Sequence, residues 1–119
     1  MRQETLIKMV ITHLLNQSDL KSDMFEGMAS YTEIHRPQFH FTAQENWIND
    51  PNGLVYMNGV WHLFFQHNPE ATVWGNMTWG HAVREDLIHW RQLDHVLHPD
   101  ELGSMFSGCA VVDPANSAG

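Results

Sequence analysis

One carboxylate in this chain stands where backbone geometry could hold it still: Asp50, in the run Asn46-Trp47-Ile48-Asn49-Asp50-Pro51-Asn52-Gly53. Pro51 fixes its own φ and pushes the residue before it toward an extended conformation. Asn52 and Gly53 tolerate the positive φ that a tight reversal needs. The spacing predicts Asp50 at the lip of a strand, oriented by backbone rather than by packing. That placement suits a nucleophile or an electrostatic stabiliser. Asp-Pro-Asn-Gly is equally a good structural β-turn, so the functional reading depends on its company.

That company is polar and aromatic. Gln66 closes an apolar run with an amide that could hold hydroxyls or simply satisfy a strand end. Trp74-Gly75-Asn76-Met77-Thr78-Trp79-Gly80-His81 sets two Trp five residues apart, each followed by a Gly. Glycine there lets backbone or ligand approach an aromatic face, or lets a strand start pack tightly. Asp86-Leu87-Ile88-His89-Trp90 reads as a turn and a core ring, without chemistry. Nine His invite a metal, but no His-Glu-x-x-His or zinc-like spacing occurs, and neither metal nor cofactor is expected. Cys109 sits in an apolar run with no cation nearby in sequence to activate it, and as the single Cys it has no intrachain disulfide partner.

The chain has 119 residues, 14 acidic and 6 basic, for a formal charge of −8. Such a balance disfavours nucleic acid and anionic membranes as partners, since both attract basic patches. A neutral, hydroxyl-rich ligand fits better: five Trp and six Phe supply flat faces, and Asn, Asp and Gln supply hydroxyl partners. The same rings also fill a β core. The apolar stretch from Leu6 to Leu15 is too short and polar to span a membrane and makes a poor secretory signal. That slightly favours the cytoplasm over secretion; the oligomeric state is left open. Asn-x-Ser/Thr triplets at Asn16 and Asn76 recur too easily by chance to decide it.

Several elements must position these residues. Residues 3–16 carry apolar side chains at helical spacing and predict a short N-terminal helix, followed by a polar lead-in to residue 35. From Pro37 onward β signals dominate. Asn58-Gly59 between Leu54–Met57 and Val60–Gln66 predicts a hairpin, with Pro69 ending its second strand. Thr78–Glu85 and Ile88–Leu93 predict another strand pair turning at Asp86, and a fifth strand is expected from Met105 to Val112. Four antiparallel strands in series amount to one propeller blade, a unit that buries its faces against neighbours.

Four motifs in this order then become recognisable: Trp47-Ile48-Asn49-Asp50-Pro51-Asn52-Gly53, Phe65-Gln66-His67-Asn68-Pro69, Trp79-Gly80-His81 and Phe106-Ser107-Gly108. Together with Arg36-Pro37-Gln38-Phe39-His40-Phe41 they resemble the N-terminal part of glycoside hydrolase family 32, the invertases, levanases and inulinases. The resemblance covers residues 36–114, about two thirds of the chain. It implies an all-β fold: a five-bladed β-propeller in the parent protein, of which residues 36–119 would form the first blade and the start of the second. It implies hydrolysis of terminal β-D-fructofuranosidic bonds in sucrose or fructans, with retention and a covalent fructosyl intermediate. Asp50 matches the nucleophile. Asn49, Gln66, Trp74, Phe106 and Ser107 match residues lining the fructose pocket.

Two departures are mild: Ile48 stands where the family usually has Met, and Cys109 where it often has a second Ser. The larger one is chemical. A retaining glycosidase needs two carboxyl groups, about 5 Å apart. The family's Arg-Asp-Pro and Glu-Cys motifs, the second holding the acid/base Glu, do not occur here. None of Glu33, Glu45, Glu70, Glu85 or Glu101 has a matching context. The 119 residues by themselves are therefore expected to be inactive. A fructosyltransferase of the same fold, a non-catalytic fructan-binding remnant, or a truncated product would share all these features.

Overall fold

A computed structural model describes residues 31–117. The helix expected over residues 3–16 lies outside them, as does most of the lead-in. The chain divides between Arg36 and Pro37. Before that point, Arg36 ion-pairs with Glu33, and its guanidinium stands 4.7 Å from the centre of the Tyr31 ring.

From Pro37 onward the fold is a single four-stranded antiparallel sheet: β1 (Trp47–Met57), β2 (Val60–Asn68), β3 (Thr78–Arg84) and β4 (Arg91–Leu97), neighbours in chain order. The β1–β2 hairpin turns at Asn58 (φ 53°) and Gly59 (φ 87°). Two consecutive positive φ values match the twist of the strands, which is why Asn-Gly predicted this turn. The β3–β4 connection turns at Asp86, whose Oδ1 accepts from the Ile88 and His89 amides at 3.0 and 3.1 Å. That side-chain turn holds Ile88–Trp90 out of the ladder, so β4 begins at Arg91 rather than at the expected Ile88.

Two expectations fail here. Asp50-Pro51-Asn52-Gly53 is not a reversal. It lies inside β1, which starts seven residues earlier than the hairpin signal suggested, at Trp47. Neither Asn52 nor Gly53 has positive φ. The strand instead bulges, with register shifts between Ile48 and Pro51 and again between Pro51 and Gly53. Proline, which removes a ladder donor, is tolerated at such a bulge. The second failure is the strand expected from Met105 to Val112, which does not form: residues 104–113 are irregular. Their polar groups are claimed from the ends of other strands. Gln66 Nε2 donates to the Met105 carbonyl (2.8 Å), Trp79 Nε1 to the Phe106 carbonyl (3.0 Å), and the Met105 amide to the Met77 carbonyl (2.9 Å). A segment pinned across strand ends cannot also run along one.

The sheet is packed on both faces. On one, Phe65, Ala82 and Ala43 are buried under Phe41, Ile48, Leu63 and Trp90. Gly80 makes this packing possible: a Cβ there would lie 2.4 Å from the Phe65 ring. Elsewhere Phe64 stacks on His81 at 4.8 Å and lies 6.1 Å from Trp79. All seven residues of β3 are buried, making it the central strand of the packing.

Candidate active site

Antiparallel order gathers the start of β1, the end of β2 and the start of β3 at one edge of the sheet. Asp50, Gln66 and the 69–77 connection meet there with the irregular segment after β4. The bulge lifts Asp50 out of the regular alternation, and its carboxylate is exposed. Ser107, 57 residues away in sequence, donates from Oγ to Asp50 Oδ2 at 2.6 Å. A bond of that length to a carboxylate is charge-assisted and directional. It fixes one carboxylate oxygen and leaves Oδ1 with no hydrogen bond among the described residues.

What places Ser107 is the pinning of its neighbours. Gln66 holds Met105, Trp79 holds Phe106, and Gly108 packs on the Trp79 indole, where a Cβ would come within 3.0 Å. Further on, Ala110 crosses Gly53 so closely that a Cβ on Gly53 would be 2.8 Å from the Ala110 Cβ and amide nitrogen. Gly53 is therefore required by close approach, not by backbone conformation. The run from Ser107 to Ala110 thus lies along Asp50 to Gly53.

The other expected site residues divide. Phe106 is beside Ser107 and 63% exposed, a free aromatic face. Trp74 is likewise 63% exposed, on the connection from β2 to β3 that Asn68 steadies by donating from Nδ2 to the Val73 carbonyl (2.8 Å). Asn49 is exposed. No hydrogen bond or ring contact ties Trp74 or Asn49 to Asp50. Gln66 is buried, so in this arrangement its amide holds the Ser107 segment, and its Oε1 has no partner among the described residues. Trp79 and Gly53 belong to the sequence motifs, which carry no sign of this positioning role. Ala110 gave no signal at all, because a long-range contact of a small residue leaves no local pattern.

Four of the histidines serve the sheet. His62 Nδ1 and His81 Nε2 meet at 3.0 Å between stacked rings, and burial pushes both imidazoles down. For His81 the value falls to about 3, burial leading and the His62 and Arg91 charges adding. His67 bonds from Nε2 to the Glu45 carbonyl at 3.1 Å and from Nδ1 to His95 Nε2 at 2.7 Å. A carbonyl only accepts, so Nε2 of His67 carries the proton and Nδ1 accepts from His95. Burial also lowers His95. No three His, Cys, Asp or Glu side chains gather as a metal site among the described residues.

Comparison with known proteins identifies the family. The profile of the glycosyl hydrolases family 32 N-terminal domain matches residues 40–118. A levanase of Bacillus subtilis is 45% identical over 119 residues, all of this chain and 17% of the levanase. The crystal structure of exo-inulinase from Aspergillus awamori superposes with a TM-score of 0.66 at 50% identity, covering 72% of this chain and 18% of that one. A fructofuranosidase from Schwanniomyces occidentalis complexed with fructose gives 0.67 at 46% identity, with 72% and 18% covered. The chain thus spans less than a fifth of the length of each.

Proposed function

Since the chain belongs to glycosyl hydrolase family 32, we propose that the protein containing it is a retaining β-fructosidase acting on terminal fructosyl bonds of sucrose or fructans. The described sheet is then the first blade of a five-bladed propeller. Residues 105–113 would be the crossing toward the second blade. The observation that carries the reading is the Ser107–Asp50 hydrogen bond. It aligns an exposed carboxylate and leaves one oxygen, Oδ1, available for attack.

In the first step Oδ1 of Asp50 bonds to the anomeric carbon of the fructosyl unit while the bond to the leaving oxygen breaks. A second carboxyl group gives its proton to that oxygen. Water then attacks the same carbon, returns a proton to that group, and frees fructose and the Asp50 carboxylate. The second carboxyl group is assigned to no residue of this chain. Trp74 and Phe106 offer faces for the sugar ring, and Asn49 a free amide for its hydroxyls. Relatives named as levanase, exo-inulinase and fructan beta-fructosidase support a fructan-type substrate.

The test is expression of the complete translated product, native and Asp50→Ala, with free fructose measured from sucrose and from a fructan. The variant should lose on the order of 10³–10⁶-fold in kcat, as removal of a nucleophile does. An Asp50→Ala protein that releases fructose near the native rate would rule out the assignment.

A further inference from the structure

Asn52 needs an explanation that the motif does not supply. Its backbone is not in the positive-φ region, so turn geometry does not call for Asn. Asn52 is 2% exposed, and its Oδ1 and Nδ2 are both buried with no hydrogen-bond partner among the described residues. A buried amide that bonds to nothing is costly, and an apolar residue of the same size would be tolerated better there. An amide so placed calls for a polar partner.

Its surroundings say what that would be. Asn52 occupies the second irregularity of β1 and, like Asn49 and Asp50, has no facing residue on β2. A bulge leaves backbone groups of its extra residues outside the ladder. Pro51, between Asp50 and Asn52, has no N–H to offer. Above runs the segment that places Ser107 on Asp50 and Ala110 against Gly53. A buried amide beside unladdered backbone is the polar setting that an internal water occupies, typically making about three hydrogen bonds.

We propose that Asn52 is a positioning residue for the Asp50 carboxylate: its amide, through an internal water, ties down the bulged backbone and sets the angle at which Asp50 meets Ser107. This rests on the reading of Asp50 as the nucleophile. Asn52 does not touch the sugar; it fixes the group that does.

The experiment compares native, Asn52→Leu and Asp50→Ala forms of the complete translated product. Asn52→Leu keeps the branching and number of heavy atoms and removes the amide. The expected result is a kcat lowered about 10- to 100-fold, KM within about threefold, and an acid limb of the rate profile that moves. A Leu variant with lowered melting temperature but native kcat and pH profile overturns the proposal, leaving Asn52 a merely structural residue. Should Asn52→Leu not fold, Asn52→Ala is read by the same criteria. A high-resolution crystal structure of the native protein gives an answer independent of any variant. Expected is a water bonded to the Asn52 amide and to backbone of residues 49–52; an amide bonded only to other protein groups overturns the idea. If Asp50→Ala remains active, the nucleophile reading itself fails. If Asp50→Ala is inactive while Asn52→Leu is native-like, only the present inference fails.

Discussion

Ser107 is the side chain whose removal most directly tests how the carboxylate is held. It is exposed and makes one described side-chain bond, to Asp50. Ser107→Ala therefore deletes orientation without opening a cavity. A hydrogen bond to a charged group is worth about 1.5–3 kcal/mol, less at an exposed position. In the complete translated product, kcat/KM for fructose release should fall about tenfold, with the melting temperature unmoved. Steady-state kinetics beside calorimetry decide it, and an unchanged kcat/KM would mean that the contact orients nothing. At this scale the sequence was informative about identity and less so about role. Asp50, Phe106 and Ser107 stand out by motif, and the fold brings Ser107 onto Asp50. Gln66 also stands out, but it is buried and works on the Met105 carbonyl. Asn52 and Gly53 read in sequence as turn residues; in the fold one is a buried amide, the other a close contact. Local pattern reports what backbone a residue permits, not what another segment later lays across it.

The strands carry two predictions. Gly80 faces Phe65 across the β2–β3 ladder, and the Phe65 ring is held in turn by Phe41 at 4.7 Å. Gly80→Ala sets a methyl group 2.4 Å from carbons of the buried Phe65 ring. Overpacking of this kind costs about 1–3 kcal/mol, so the denaturant midpoint should drop at unchanged slope. Measured in the complete translated product, a midpoint equal to the native one would show that the ring yields freely. The second prediction concerns acid. His81 titrates at about 3 in the sheet and at about 6.5 when unfolded, so the unfolded chain binds more protons between those values. The stability it lends is complete above pH 6.5 and is lost as pH falls toward 3, on the order of 5 kcal/mol at the limit. His62 and His95, also lowered, act in the same direction. Unfolding free energies at pH 7, 5 and 4 should decline, and less steeply in His81→Gln; parallel curves for the two proteins would count against the imidazole pair. The elements themselves were legible to different degrees. The hairpin was plain because Asn58-Gly59 demands positive φ at adjacent positions. The bulge was hidden because Pro, Asn and Gly mark turns and bulges alike. Residues 105–112 look like a strand in composition, yet two of their carbonyls are taken by side chains.

For the whole molecule the controlling facts are what the sheet leaves uncovered and what chemistry it lacks. Leu54, Tyr56, Val73, Trp74, Leu102, Phe106 and Val111 are all at least half exposed, and they come from β1, the β2–β3 connection and the segment after β4. Apolar side chains so numerous on so small a unit invite association. The 119-residue chain, made by itself, is therefore expected to self-associate and to bind a hydrophobic dye. Size-exclusion chromatography with light scattering checks the first, and a clean monomer with a cooperative melt would contradict it. The same chain should release no measurable fructose from sucrose or fructan. Asp50 is aligned, but no carboxylate here has the context of the acid, and a missing general acid lowers rate by about 10²–10⁴-fold. Pocket walls beyond one sheet would be missing as well. Turnover by the 119 residues alone, abolished by Asp50→Ala, would force a search among Glu45, Glu70 and Glu101 for a proton donor that sequence context does not single out.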